Sequence, residues 1–132
     1  MVEGAGGVLA PLSLRRTMVD LMRALALPVV LVARPGLGTL NHTLLSLREL
    51  RRAGLQVRGI VLNAAQRSRP GLIERDNRAT IEAMSGVPVI AALPHSGALE
   101  RAVRRLDAVR YALRAALSDN GNIAFKCACL NP

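Results

Sequence analysis

Aromatic side chains are almost missing from this sequence: Tyr111 and Phe125 are the only two, and there is no tryptophan. A core assembled without them must come from leucine, valine, isoleucine, alanine and methionine. Hydrophobic residues make up 51% of the 132, enough for one domain with a buried core and no requirement for a second. Such short aliphatic side chains suit helices packed on a parallel sheet. Cysteine is scarce too: Cys127 and Cys129 stand near the C-terminus, which indicates no disulfide framework, and without a second pair they make no structural zinc site. No apolar run reaches the roughly 18 residues that span a bilayer, and the opening Met1 to Gly7 has no basic stretch leading into an apolar segment. The expectation is a soluble, cytoplasmic protein with no membrane association.

Lysine is equally rare. Lys126 is the only one among 18 basic residues, set against 9 acidic ones, so arginine carries the formal charge of +9. Such a balance raises the question of a nucleic-acid partner. The arginines, however, are spread from Arg15 to Arg114, with no aromatic platform, zinc-ligand spacing or recognition helix among them. Dispersed charge of this kind belongs to solvated faces, and nucleic acid is not the expected partner.

The apolar pattern alternates between two periods. Leu14, Met18, Leu21 and Leu25 recur at helical spacing, with Ser13 as N-cap and Pro28 as the stop, which predicts a helix over residues 14–26. Residues 28–33 form a continuous β-branched run, read as a strand buried on both faces. Leu40, Leu44, Leu47 and Leu50 share one face of a second helix that ends before Gly54, a residue suited to a left-handed cap. A second buried strand is predicted over 57–62, a polar loop over 66–71, a helix over 73–84, a third strand over 88–93 and a long amphipathic helix over 99–113. Helix and strand alternating through short connections is the pattern of parallel βαβ units. Residues 1–117 are therefore assigned to one α/β domain, a parallel sheet flanked by helices, and residues 118–132 to an irregular tail.

Ligands of such sheets bind beyond the carboxyl ends of the strands, which directs attention to four segments. Glu3-Gly4-Ala5-Gly6-Gly7 places a carboxylate at a strand tip, followed by glycines that let backbone approach a ligand. An acid so placed suits Mg²⁺, which takes one or two carboxylates together with phosphate oxygens and water; a flexible glycine-rich terminus reads equally well. Gly36-Leu37-Gly38-Thr39-Leu40-Asn41-His42 leads from strand into helix, where free N–H groups and the positive dipole end favour an anion; taken alone, a capped glycine turn is the simpler reading. Asn63 puts an amide at a strand tip, with the donor and acceptor that match adenine's paired edge, although turn chemistry uses Asn in the same way. Pro94-His95-Ser96 is a rigid turn after the last strand that would line the same pocket.

Taken in order, Glu3-Gly4-Ala5-Gly6-Gly7, Pro11-Leu12, Leu27-Pro28-Val29-Val30-Leu31-Val32, Leu37-Gly38-Thr39-Leu40-Asn41-His42, Ala53-Gly54-Leu55 and Gly59-Ile60-Val61-Leu62-Asn63 resemble the C-terminal half of the dethiobiotin synthetase family, from Val2 to about Glu100. The resemblance implies a P-loop NTPase-like sheet and an ATP-dependent ligase of biotin biosynthesis, which joins CO₂ to the two amino groups of 7,8-diaminononanoate. It also implies MgATP as cofactor, with Glu3 as a Mg²⁺ ligand and Gly4, Ala5 and Gly6 bordering the phosphates. Asn63 would read adenine, with Pro94, His95, Ser96 and Glu100 finishing the nucleotide pocket. Gly38, Thr39, Leu40 and Asn41 would grip the substrate carboxylate of a neighbouring subunit, which implies a homodimer. No side chain is assigned a catalytic role. His42 and His95 are read as structural or solvated, and Met18, Met22 and Met84 as core filler.

One departure from the family stands out. The phosphate loop G-x-x-x-x-G-K-[ST] occurs nowhere in this sequence, nor does an aspartate upstream of Glu3. Phosphoryl transfer depends on those parts, so little or no synthetase activity is expected of the chain by itself. The alternative expectation is a non-catalytic binding or assembly module that pairs with a separately encoded phosphate-loop half.

Overall fold

The computed structural model describes residues 2–64, 72–95 and 125–128. Its frame is the run Val29–Ala33, strand β4, in which all five residues are buried. Alternation sends Val29, Leu31 and Ala33 to one face of the sheet, where they join the larger hydrophobic cluster, and Val30 and Val32 to the other face, where they meet Val61. Both sides are apolar because both are covered, the condition under which a strand loses its polar alternation. Burying one such Leu or Val side chain is worth about 1.5–3 kcal/mol relative to leaving it in water.

The chain reaches β4 through β1 (Val2–Gly4), β2 (Pro11–Ser13), β3 (Arg16–Thr17) and α1 (Met18–Leu25), and leaves it through α2 (Thr39–Arg52), β5 (Val57–Asn63), α3 (Leu72–Ser85) and β6 (Val89–Leu93); β7 is Phe125–Ala128. Strands β1, β7, β4, β5 and β6 lie side by side in that order in one sheet, and every adjacent pair is parallel. Met18, Val19 and Met22 of α1, Leu47 and Leu50 of α2, and Ile81 of α3 all belong to the larger cluster, so the three helices share one face of the sheet. The fold is the expected α/β arrangement of a parallel sheet flanked by helices.

Two local expectations are corrected. The first helix starts at Met18, four residues later than its periodicity suggested, because residues 11–17 form a small antiparallel hairpin in which Pro11 pairs with Thr17 and Ser13 with Arg16. Leu14, counted in the helical stripe, is fully exposed at the hairpin tip. The Ser13 hydroxyl accepts a hydrogen bond from the Arg15 N–H (3.3 Å) and so closes a turn instead of capping a helix. Thr17 is the true N-cap: its own N–H donates to the Asp20 carboxylate at 2.7 Å, and its hydroxyl donates to the same oxygen at 3.0 Å.

The second correction concerns the tail. Four of its residues, Phe125–Ala128, form β7 inside the main sheet, paired on one side with Val2, Glu3 and Gly4 and on the other with Val29 through Val32. A strand flanked by two others satisfies its backbone on both edges, which offsets the modest strand propensity of so short a segment. The remaining tail residues, the 66–71 loop expectation for residues 66–70 and Gly71, and the 99–113 helix lie outside the described residues. Among the described residues, no helix is long and apolar enough to cross a membrane.

Candidate functional site

Because the strands are parallel, their carboxyl ends emerge on one rim. Ala33 is level with Leu62 and Asn63 with Leu93, while Gly4 and Leu31 both pair with Cys127. At about 4.8 Å per strand step, β1 stands roughly 10 Å from β4 and roughly 14 Å from β5 along that rim. The segments after β1, β4, β5 and β6 therefore leave the sheet along one edge. Of the expected site residues, Glu3, Gly4, Ala5, Gly6, Gly38, Thr39, Leu40, Asn41, Asn63, Pro94 and His95 fall on this rim or in the turns leaving it. Ser96 and Glu100 lie outside the described residues.

At the β1 end, Val2 packs toward the larger cluster, Gly4 is buried and Glu3 is exposed. The backbone then turns sharply. Gly6 and Gly7 have φ of +88° and +93°, and a β-carbon on Gly6 would stand 3.1 Å from Cβ of Ala10. Only glycine fits such a turn without strain, and the result is a stretch of bare backbone beside a carboxylate. Among the described residues no three His, Cys, Asp or Glu side chains gather as a metal cage. A strand-tip carboxylate suits Mg²⁺ held mainly by phosphate and water, and does not suit a cation that demands an all-protein shell.

The β4 end is more elaborate. Gly38 is the N-cap of α2, with φ of +84°. Thr39 donates its N–H to Gly36 O (3.2 Å) and His42 to Gly38 O (3.2 Å), while the buried hydroxyls of Thr39 and Thr43 meet at 3.2 Å inside the first turn. No acidic residue stands in that turn, so the positive end of the helix dipole is uncompensated, although the Thr39 N–H is already taken up by Gly36 O. Gly38 and Asn41 are exposed and Thr39 is buried, so the anion-facing part is backbone and the hydroxyl has an internal role.

Sequence reading missed a residue here. Asn77 on α3 is buried, and its Nδ2 donates to Pro35 O at 3.0 Å. It ties the third helix to the loop that delivers Gly36 to Gly38, across 42 positions of sequence. No local signal marks it, since an Asn in a helix otherwise rich in Arg and Glu reads as a solvated residue.

Asn63 ends β5, half-buried, and the Ala64 N–H donates to Leu93 O at 2.9 Å, which locks the two exits of β5 and β6 together. Pro94 and His95 follow at once, both exposed. A cleft of about 280 Å³ lies elsewhere, between Leu27-Pro28 and Leu55-Gln56 where the chain enters β4 and β5. It opens at the amino ends of the strands, the wrong end for ligands of a parallel sheet.

The model of a family described as an AAA domain matches residues 1–103. The ATP-dependent dethiobiotin synthetase of Bacillus velezensis is 45% identical over 94 residues, which is 71% of this chain and 40% of that protein. The chain belongs to the dethiobiotin synthetase family.

A biotin biosynthesis bifunctional protein of Bordetella avium is 47% identical over 94 residues, covering 71% of this chain and 19% of that protein. The dethiobiotin synthetase of Anaeromyxobacter strain K reaches 62% identity over 63 residues, 48% of this chain and 28% of its own length. The chain thus spans about two fifths of the length of the Bacillus synthetase. The parallel sheet flanked by helices is consistent with the P-loop NTPase-like fold, and the Bacillus and Anaeromyxobacter relatives are named as ATP-dependent dethiobiotin synthetases.

Proposed function

We propose that this chain forms the adenine and substrate-carboxylate side of an ATP-dependent dethiobiotin synthetase acting in the cytoplasm on 7,8-diaminononanoate and CO₂. The observation that supports this reading is the shared rim, on which an acid, a helix start without acidic residues and a strand-tip amide follow one another. Glu3 would hold Mg²⁺, and the bare backbone from Gly4 to Gly6 would border the phosphates and the reacting amines. Asn63 would donate to and accept from adenine, with Pro94, His95 and Ser96 closing the base pocket. The segment Gly38, Thr39, Leu40 and Asn41, through the backbone N–H groups that are not engaged within the turn, would bind the carboxylate of the diamine seated on a second copy, so the working unit would be a homodimer. When bound, MgATP supplies the phosphoryl group that activates the carboxylated amine; the residues named here bind, orient and exclude water.

A second reading takes this chain, which spans about two fifths of the Bacillus synthetase, as a non-catalytic binding or assembly module that works with a phosphate-loop part outside the residues given. Both are tested together. The purified chain, given MgATP, bicarbonate and 7,8-diaminononanoate, should form no dethiobiotin above the protein-free background by mass spectrometry, and product at a catalytic rate would refute the module reading. Amide NMR should show MgATP moving the signals of Glu3 to Gly7 and Asn63, and the diamine moving those of Gly38 to Asn41. Asn63→Ala should weaken nucleotide binding by about 1–3 kcal/mol, the cost of a lost buried hydrogen-bonding pair. If neither compound moves those amides, the assignment fails.

A further inference from the structure

Among the described residues, β6 is the outermost strand of its sheet and pairs only with β5. Its residues, Val-Ile-Ala-Ala-Leu, carry no charge and no internal proline, a composition that leaves an edge open to a further strand. Pro88, just before it, has no N–H, so the first donor an added strand could reach belongs to Val89. The Ile60 N–H donates to Pro88 O at 2.9 Å, which turns that carbonyl toward β5. Successive residues of a strand turn their backbone groups to opposite edges, so Val89 presents its N–H and C=O away from the sheet. Both are occupied. Glu82 Oε1 accepts from the Val89 N–H at 2.8 Å, and Arg78 Nη2 donates to Val89 O at 3.1 Å.

We propose that Arg78 and Glu82 form a clamp that imitates a neighbouring strand, shuts the β6 edge against a second copy of this chain and leaves self-association to other surfaces. The two side chains stand one turn apart on α3, hence on one face of it, and their heads approach to 3.7 Å, Nε to Oε2. An adjacent strand would offer Val89 one acceptor and one donor. A carboxylate supplies acceptors only and a guanidinium donors only, so the pair reproduces that offer with charge-assisted bonds. Side-chain exposures of 50% for Arg78 and 37% for Glu82 place both at the border of the sheet, where an added strand would lie. Such a strand would have to strip both charged groups from Val89 before its own ladder could begin. A second copy is the occupant kept out, because a two-fold axis would bring two identical β6 edges together as an antiparallel pair. The clamp is independent of what the opposite rim binds.

The test compares the full chain with three variants: Arg78→Ala with Glu82→Ala; the same pair with Val89→Pro added, which deletes the freed donor; and Glu82→Gln, whose amide oxygen still accepts. Sedimentation is followed across micromolar concentrations, with circular dichroism as the check on folding. The double variant should keep its helix content and form species larger than those of the wild type, growing with concentration. Glu82→Gln and the variant with Val89→Pro should sediment as the wild type does. A folded double variant that behaves like the wild type overturns the clamp, and so does association that persists with Val89→Pro in place. A second arm does not depend on the double variant folding. In hydrogen exchange the Val89 amide of the wild-type chain should be protected at least about tenfold over an unstructured reference. Glu82→Ala should lose that protection and Glu82→Gln keep it, while the Ile60 amide stays protected in both. Exchange of wild-type Val89 at the reference rate, or equal protection in Glu82→Ala, overturns the proposal.

Discussion

Asn77 shows how much of the site depends on single contacts between distant residues. Its side chain is sequestered, and it holds Pro35 O and hence the approach to Gly38. Asn77→Ala leaves that carbonyl without its donor and opens a small void, so unfolding free energy in urea should fall by about 1–3 kcal/mol. Affinity for the carboxylate substrate should fall with it, because the Gly36 to Gly38 turn loosens. The exposed neighbour Arg75→Ala serves as control and should change stability by no more than about 0.5 kcal/mol. Equal stability of the two variants would show the tie to be idle. At this scale the sequence is readable where a residue type serves a local geometry: the glycines at 6 and 38 have the positive φ that their place after a strand suggests. It is silent on Asn77, whose hydrogen bond joins residues that no pattern of spacing connects.

Among the elements, α1 carries its own pH dependence. The Thr17 N–H, then the Thr17 hydroxyl, and more weakly the charges of Arg16 and Arg23 hold the Asp20 carboxyl below its ordinary value. A carboxyl lowered in the folded state adds stability above its unfolded pKa, and this contribution is lost as pH falls through the folded one. Helix content near α1 should therefore drop on acidification between about pH 5 and pH 2. Asp20→Asn should remove that slope while leaving the rest of the acid transition unchanged, as circular dichroism melts across the range would show. Salt should flatten the arginine part, since Asp20 lies at the surface.

The elements themselves were largely legible. The β-branched runs of β4 and β5 and the leucine stripe of α2 appear within a residue or two of expectation, because burial on both faces and burial on one stripe leave different periods. The start of α1 was not legible. Leu14 fits the helical period, yet Pro11 and Ser13 favour a turn, and the hairpin that results depends on pairing with Arg16 and Thr17.

Charge belongs to the whole molecule. With a formal +9 dispersed along the sequence and no aromatic platform, the chain should adhere to DNA only at low ionic strength and elute by about 0.2 M salt, without sequence preference. A sequence-selective complex that survives that salt in a gel-shift titration would contradict this picture. Fold class, the order of the strands along the chain and the kinds of residue at each strand end follow from the sequence alone, because periodicity and turn chemistry act over a few residues and leave their mark there. That β7 lies between β1 and β4, that four strand ends share one rim, and that Asn77 reaches Pro35 were decided only in three dimensions. Backbone pairing between strands is nearly indifferent to side chains, so the neighbour a strand takes is settled by which edge remains open once the others have packed.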